Sequence, residues 1–142
     1  MPNARRRRRP VHAAIALIER RGRYLICQRR ADDTFGGCWE FPGGKRETGE
    51  SWDACLRREL AEELGVIAGT VRPYASFRHQ YPDGAIFVRV FRCDIARGTP
   101  KPLESQRLRW VPSTQLSRYQ FPPANRRLIE KLSELVVVKF DG

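Results

Sequence analysis

Three carboxylates in this chain are spaced to share one face of a helix. In Arg58-Glu59-Leu60-Ala61-Glu62-Glu63-Leu64-Gly65-Val66, Glu59, Glu62 and Glu63 fall at i, i+3 and i+4, which on a helix brings side chains to about 5–6 Å of one another. Like charges so placed repel unless a cation lies among them, and an all-oxygen donor set suits the hard ions Mg2+ and Mn2+. Beside a phosphate chain such an ion neutralises charge, aligns the phosphorus and acidifies a water, whose proton a neighbouring carboxylate can take. A solvated acidic face is the plain alternative. The upstream loop Gly44-Lys45-Arg46-Glu47-Thr48-Gly49-Glu50 weighs against it. Together the two stretches read G-x5-E-x7-R-E-aliphatic-x-E-E-x-G-aliphatic, a coincidence on the order of 1 in 10^10 per start position.

The elements that must position these groups carry their own signals. Ser51 is a good N-cap with Asp53 in the first turn, and Gly65 stands where a left-handed C-cap glycine belongs, so a helix is predicted over Ser51 to Leu64. Ala54, Leu56, Leu60, Ala61 and Leu64 are its expected buried stripe.

The pattern resembles the Nudix box, the signature of the Nudix hydrolase superfamily, whose reaction is metal-assisted hydrolysis of a nucleoside diphosphate linked to another group. The resemblance implies a metal site of Glu59, Glu62 and Glu63 with the Gly44 carbonyl. It also implies that Arg58 orients Glu59 and that Glu50 supports the loop and helix electrostatically. Glu104, in the loop Lys101-Pro102-Leu103-Glu104-Ser105, is implied to bind metal or deprotonate water, so Glu59 and Glu104 are both candidates for the base. Lys45 is expected to face the phosphates or the departing pyrophosphate.

Three further segments, Arg29-Arg30-Ala31, Trp39-Glu40-Phe41-Pro42-Gly43-Gly44-Lys45 and Phe121-Pro122-Pro123-Ala124-Asn125, look like the MutT branch, which hydrolyses 8-oxo-dGTP to the monophosphate and pyrophosphate. An asparagine amide offers an acceptor and donors in one plane. Guanine oxidised at C8 presents an N7 donor beside the O6 acceptor, whereas ordinary guanine presents two acceptors, so Asn125 can pair fully only with the oxidised base. The plain alternative for Asn125 is a helix-capping role. Phe41 and Tyr81 are candidates to stack on or edge the base, with core packing as their alternative. Asp83 is a candidate acceptor for the base, or a turn residue in Tyr81-Pro82-Asp83-Gly84; Arg30 is a candidate phosphate or ribose contact. Gly84 departs from the branch, where a larger basic side chain follows the aspartate. A broader (d)NTP or CTP pyrophosphatase, and an RNA-associated protein acting on or binding 5′ ends, are the competing functions.

Around these motifs, Val11 to Glu19 and Tyr24 to Gln28 read as a hairpin turned by Arg20-Arg21-Gly22-Arg23, and Asp32 to Cys38 as a loop. Thr70 to Gln80 and Ala85 to Ile95 read as strands joined at Tyr81–Gly84, Arg107 to Val111 as a strand, Ser113 to Ser117 as a helical turn, and Pro123 to Leu135 as a helix opening on proline. Val136 to Phe140 fits a final strand or a frayed tail. Strands, helix, strands, helix without regular alternation, and no G-x-G-x-x-G, argue for a mixed-sheet α/β (α+β) fold. The resemblance makes that a Nudix-type α/β/α sandwich.

The chain has 142 residues, one domain's worth, divided here into an Arg-rich disordered tail over 1–10 and a domain over 11–142. Arg5 to Arg9 carry five of the +11 net charges and leave +6 for the rest. Such a block reads as a solvated extension or as an attractor of nucleic acid and anionic surfaces. The remaining excess suits an anionic substrate. No apolar run of about 18 residues and no secretory leader is visible, so a cytoplasmic protein without membrane contact is expected. Cys27, Cys38, Cys55 and Cys93 lack metal spacing and are expected to be reduced. The partners expected are a nucleotide substrate and Mg2+ or Mn2+, on a monomer.

Overall fold

The computed structural model describes residues 9–132. It contains seven strands: β1 Val11–Arg20, β2 Arg23–Gln28, β3 Trp39–Glu40, β4 Gly43–Lys45, β5 Ile67–Tyr81, β6 Gly84–Arg97 and β7 Arg107–Pro112. Helix α1 spans Trp52–Leu64, and a second helix, α2, follows a 3-10 turn at Pro123–Asn125 and covers 126–132. The expected ends of that helix (133–135), the stretch Val136 to Phe140 and Arg5 to Arg8 of the tail lie outside the described residues; Arg9 is exposed.

A mixed layer runs β4-β1-β6-β5, with β1 and β6 parallel over eight register pairs from Val11↔Ile86 to Ile18↔Cys93. An antiparallel layer joins β3, β2 and β7. The expected β1–β2 hairpin is paired only next to its turn, through Glu19↔Tyr24 and Arg20↔Arg23. Beyond those pairs the strands part, because β1 bonds to β4 and β6 while β2 bonds to β3 and β7. The β5–β6 hairpin is longer than its alternation suggests, and β5 tolerates Pro73 because it is the edge strand and is bulged around that residue.

Side-chain alternation along β1 divides the core. Ala14, Ala16 and Ile18 face α1, whose Cys55, Leu56, Leu60 and Leu64 are fully buried against them. Leu17 points to the other face, where it meets Leu128 and Leu132 of α2. The alanines let α1 approach the sheet closely, and Leu60→Ala would cost about 2–5 kcal/mol by the cavity it leaves. The α/β/α sandwich is therefore realised. The helix caps are those expected: Ser51 Oγ accepts from the Ala54 amide at 3.0 Å, and Gly65, at φ 70°, donates its N–H to Ala61. The buried stripe differs from expectation. Ala54 and Ala61 are exposed and Cys55 is buried in their stead, since the sheet meets the helix along the 55/56/60/64 line. All four cysteines are free.

Candidate active site

The site forms where α1 passes under β4. Arg58 is its hub. Its guanidinium grips Glu50 through Nε and Nη2 at 2.7 and 2.9 Å, and reaches Glu59 Oε1 at 2.9 Å and Glu62 Oε2 at 3.4 Å. It also donates to the Lys45 carbonyl at 3.0 Å. This bidentate pairing locks the loop onto the helix and aims Glu59. Glu50 also accepts from the Glu47 amide. The Arg58 contact holds the Glu50 carboxyl down to about 2.

Glu104 arrives from outside the helix, on a loop pinned at several points. The Lys101 and Leu103 amides donate to the carbonyls of Leu64 and Glu63 at the end of α1, and Arg30 Nη2 donates to the Leu103 carbonyl at 3.2 Å. Gln106 bonds through its backbone to Gln28 and through its side chain to Arg29. The result brings oxygens of Glu59, Glu62 and Glu104 within 4.8 Å of one another. Three hard, mutually repelling donors at that spacing fit a divalent ion such as Mg2+ or Mn2+. Burial, with Glu62 and Glu104 adding to it, holds the Glu59 carboxyl above its ordinary value despite Arg58.

Glu63, expected in the same cluster, turns inward: its Oε2 accepts the Gly43 amide at 3.0 Å. Burial, reinforced by Glu40, Glu59 and Glu104, pushes its carboxyl up to about 9. The Gly44 carbonyl faces the Cys55 thiol at 3.7 Å, a thiol that burial keeps neutral by raising it to about 11. Lys45 is exposed at the end of β4.

A second group of expected residues meets at the start of α2. The Tyr81 hydroxyl accepts the Ala124 amide at 3.1 Å, tying the end of β5 to the turn that carries Asn125. Asn125 is 8% exposed, and its carboxamide oxygen is buried without a hydrogen-bond partner, so it is not capping the helix. Phe41 is a core residue stacked on Phe121 at 5.4 Å rather than an open stacking face. Asp83 is exposed in the β5–β6 turn.

Sequence reasoning gave no role to the Arg29–Glu40 ion pair, 2.7 Å, whose half-buried carboxylate lies electrostatically close to Glu59 and Glu63. An acid three residues before Gly43 was its only local signal. Cys55 beneath Gly44 was also missed.

The family described as NUDIX domain matches residues 13–131. The 8-oxo-dGTP diphosphatase of Haemophilus influenzae is 37% identical over 111 residues, 78% of this chain and 82% of that one. The CTP pyrophosphohydrolase of Escherichia coli is 34% identical over 125 residues, 88% of this chain and 93% of that one. A crystal structure of a MutT NUDIX hydrolase from Burkholderia pseudomallei superposes with a TM-score of 0.78 at 26% identity, covering 87% of this chain and 98% of its own.

Proposed function

This chain belongs to the NUDIX domain family, and from that premise we propose that it cleaves nucleoside triphosphates to the monophosphate and pyrophosphate, with 8-oxo-dGTP preferred. The observation that carries the base preference is the buried, unpartnered oxygen of Asn125. A buried acceptor left empty is costly, so a base that brings a donor to it is favoured. Guanine oxidised at C8 offers N7–H there and O6 to the amide N–H, whereas ordinary guanine offers a lone pair. The difference is worth about 1–3 kcal/mol.

Glu59, Glu62 and Glu104 are the residues that would hold Mg2+, or Mn2+ in its place, with Glu63 and the Gly44 carbonyl beside them. An ion bound there would neutralise phosphate charge and make its bound water more acidic than bulk water, so that a carboxylate can take the proton. Arg58 keeps the Glu59 carboxylate aimed, and Glu59 or Glu104 takes the water's proton. Lys45 offers its charge to the departing pyrophosphate. Arg30, which holds the Glu104 loop, is assigned a phosphate contact as well. Tyr81 holds the turn that carries Asn125 and Phe41 packs on Phe121 just upstream of it, while Asp83 is assigned to the base as an acceptor. The free thiols agree with a reducing, cytoplasmic setting.

A CTP-preferring activity is the second reading. The cytosine N4 amine beside N3 is also a donor–acceptor pair that a carboxamide can match, and the E. coli relative is named for CTP. Steady-state kcat/KM for 8-oxo-dGTP, dGTP and CTP decides. The proposal expects 8-oxo-dGTP to lead; a lead for CTP selects the second reading, and equal values for all three remove base reading from the site.

A further inference from the structure

Helix α1 covers only part of the sheet face on which it packs. Beyond its first residue, Trp52, lies a cavity of about 510 Å3 whose lining includes His12, Arg46, Trp52, Arg78, Phe87 and Arg89. Strand register explains the grouping. His12 pairs with Phe87 and Phe87 with Arg78, while Arg89 lies one row on, beside Ala14. Directly paired residues share a face, and this is the face of Ala14, the α1 side. None of the carboxylates of the active site lines this cavity.

Its chemistry is cationic. The Arg46 and Arg89 guanidiniums lie 4.9 and 5.2 Å from the Trp52 ring, and Arg78 lies 5.8 Å from the Phe87 ring, on which His12 is also stacked. The arginine–carboxylate pairs of the described residues are made by Arg29, Arg57, Arg58 and Arg92, and none by these three. Arg46 donates Nη1 to the Glu50 carbonyl at 2.9 Å, yet its buried Nε has no partner. Guanidiniums ordered by aromatic rings, unpaired by acids and with one buried donor unspent form a preorganised receptor for phosphate oxygens.

We propose that this cleft binds the phosphate backbone of a single-stranded nucleic acid. The rings are already occupied by guanidiniums and by His12, so the cleft offers charge rather than an open stacking slot for a free base. The Arg5 to Arg9 run joins the fold at Val11, next to His12. At most about 3.6 Å per residue puts Arg9 within roughly 11 Å of that histidine along the chain. A polyanion can reach Arg9 and the cleft guanidiniums together and release a counterion at each phosphate neutralised, which a mononucleotide cannot do. A cleft of about 510 Å3 is small against the girth of a double helix, and a single strand is the polyanion assigned to it.

Fluorescence anisotropy of a 5′-labelled 20-nucleotide strand, DNA or RNA, titrated with the full chain across salt concentrations tests this. Arg78 and Arg89 are exposed, so Arg78→Ala with Arg89→Ala should fold as the parent. The pair of changes should weaken binding roughly tenfold and lower the log–log salt slope by about 1.4, two phosphates' worth, with kcat/KM for nucleotides unchanged. Glu59→Gln should bind the strand like the parent. Three results would overturn the proposal: parental affinity and slope in the double variant, competitive inhibition of nucleotide hydrolysis by the strand, or displacement of the strand by a mononucleotide or pyrophosphate at equal phosphate concentration.

Discussion

The Glu59 carboxyl lies so close against Gly44 that a Cβ at position 44 would come within 2.6 Å of its Oε1 and nearer still to the rest of the group. The loop glycine is thus a steric condition on the carboxylate, not only a flexible link. Gly44→Ala should displace the mobile end of Glu59 without disturbing the backbone, lowering kcat roughly a hundredfold through misplacement while leaving the thermal midpoint nearly unchanged. Gly43→Ala should behave oppositely. At φ 147° and against the Ala14 carbonyl its Cβ would meet main chain, so the β1–β4 pairing and hence stability should suffer. Paired activity and melting measurements separate the two outcomes.

Glu59 and Glu104 share the cluster but are held differently: Glu59 is gripped by Arg58, whereas Glu104 depends on loop anchors from Arg30 and α1. Glu59→Gln should lower kcat by roughly a hundredfold to ten-thousandfold, and Glu104→Gln should also lower it, by roughly tenfold to a thousandfold, with KM little moved in either case. Single-turnover rates across pH identify the base as the variant whose rate loses its acid limb. An unaffected rate in either variant removes that residue from the mechanism.

Stability of the metal-free protein should depend on pH in a direction set by Glu63. Its carboxyl is raised by burial from 4.5 to about 9, so the folded chain keeps a proton that the unfolded chain has released. That contribution is complete below about pH 4.5 and is lost as pH rises toward about 9. Glu50 runs the other way. Arg58 holds it at about 2, so its contribution exists above about 4.5 and fades as pH falls from there toward 2. Thermal melts in chelator should therefore show stability declining from mildly acidic to alkaline pH. Glu63→Gln should flatten the decline and raise the midpoint at alkaline pH. Mg2+ at a hundred times its dissociation constant should add about 2.7 kcal/mol to the parent, and a pH-independent midpoint in chelator would contradict the account.

What the sequence made legible was local. The caps of α1, the helical spacing that sets Glu59 beside Glu62 and the turn before Asn125 depend on spacings of a few residues. What it hid depends on partners far along the chain. Strands β1 and β2 part because β1 finds β6 some seventy residues on. Glu63 leaves the cluster for an amide twenty residues upstream. Phe41 closes on Phe121, which no local pattern announces. The arginine-lined cleft exists only through the registers of β1, β5 and β6. Glu104 shows the same limit: the family resemblance placed it in the site, but the anchors that deliver it come from α1, β2 and Arg30.

The central claim is that the empty oxygen of Asn125 reads the oxidised base, and Asn125→Ala tests it most directly. With kcat/KM measured for 8-oxo-dGTP and dGTP in both proteins, the parent should prefer the oxidised nucleotide. The variant's preference should fall by roughly tenfold to a hundredfold, as expected for one lost bidentate contact, with dGTP turnover nearly unchanged. A variant that keeps the parent's ratio would contradict the assignment.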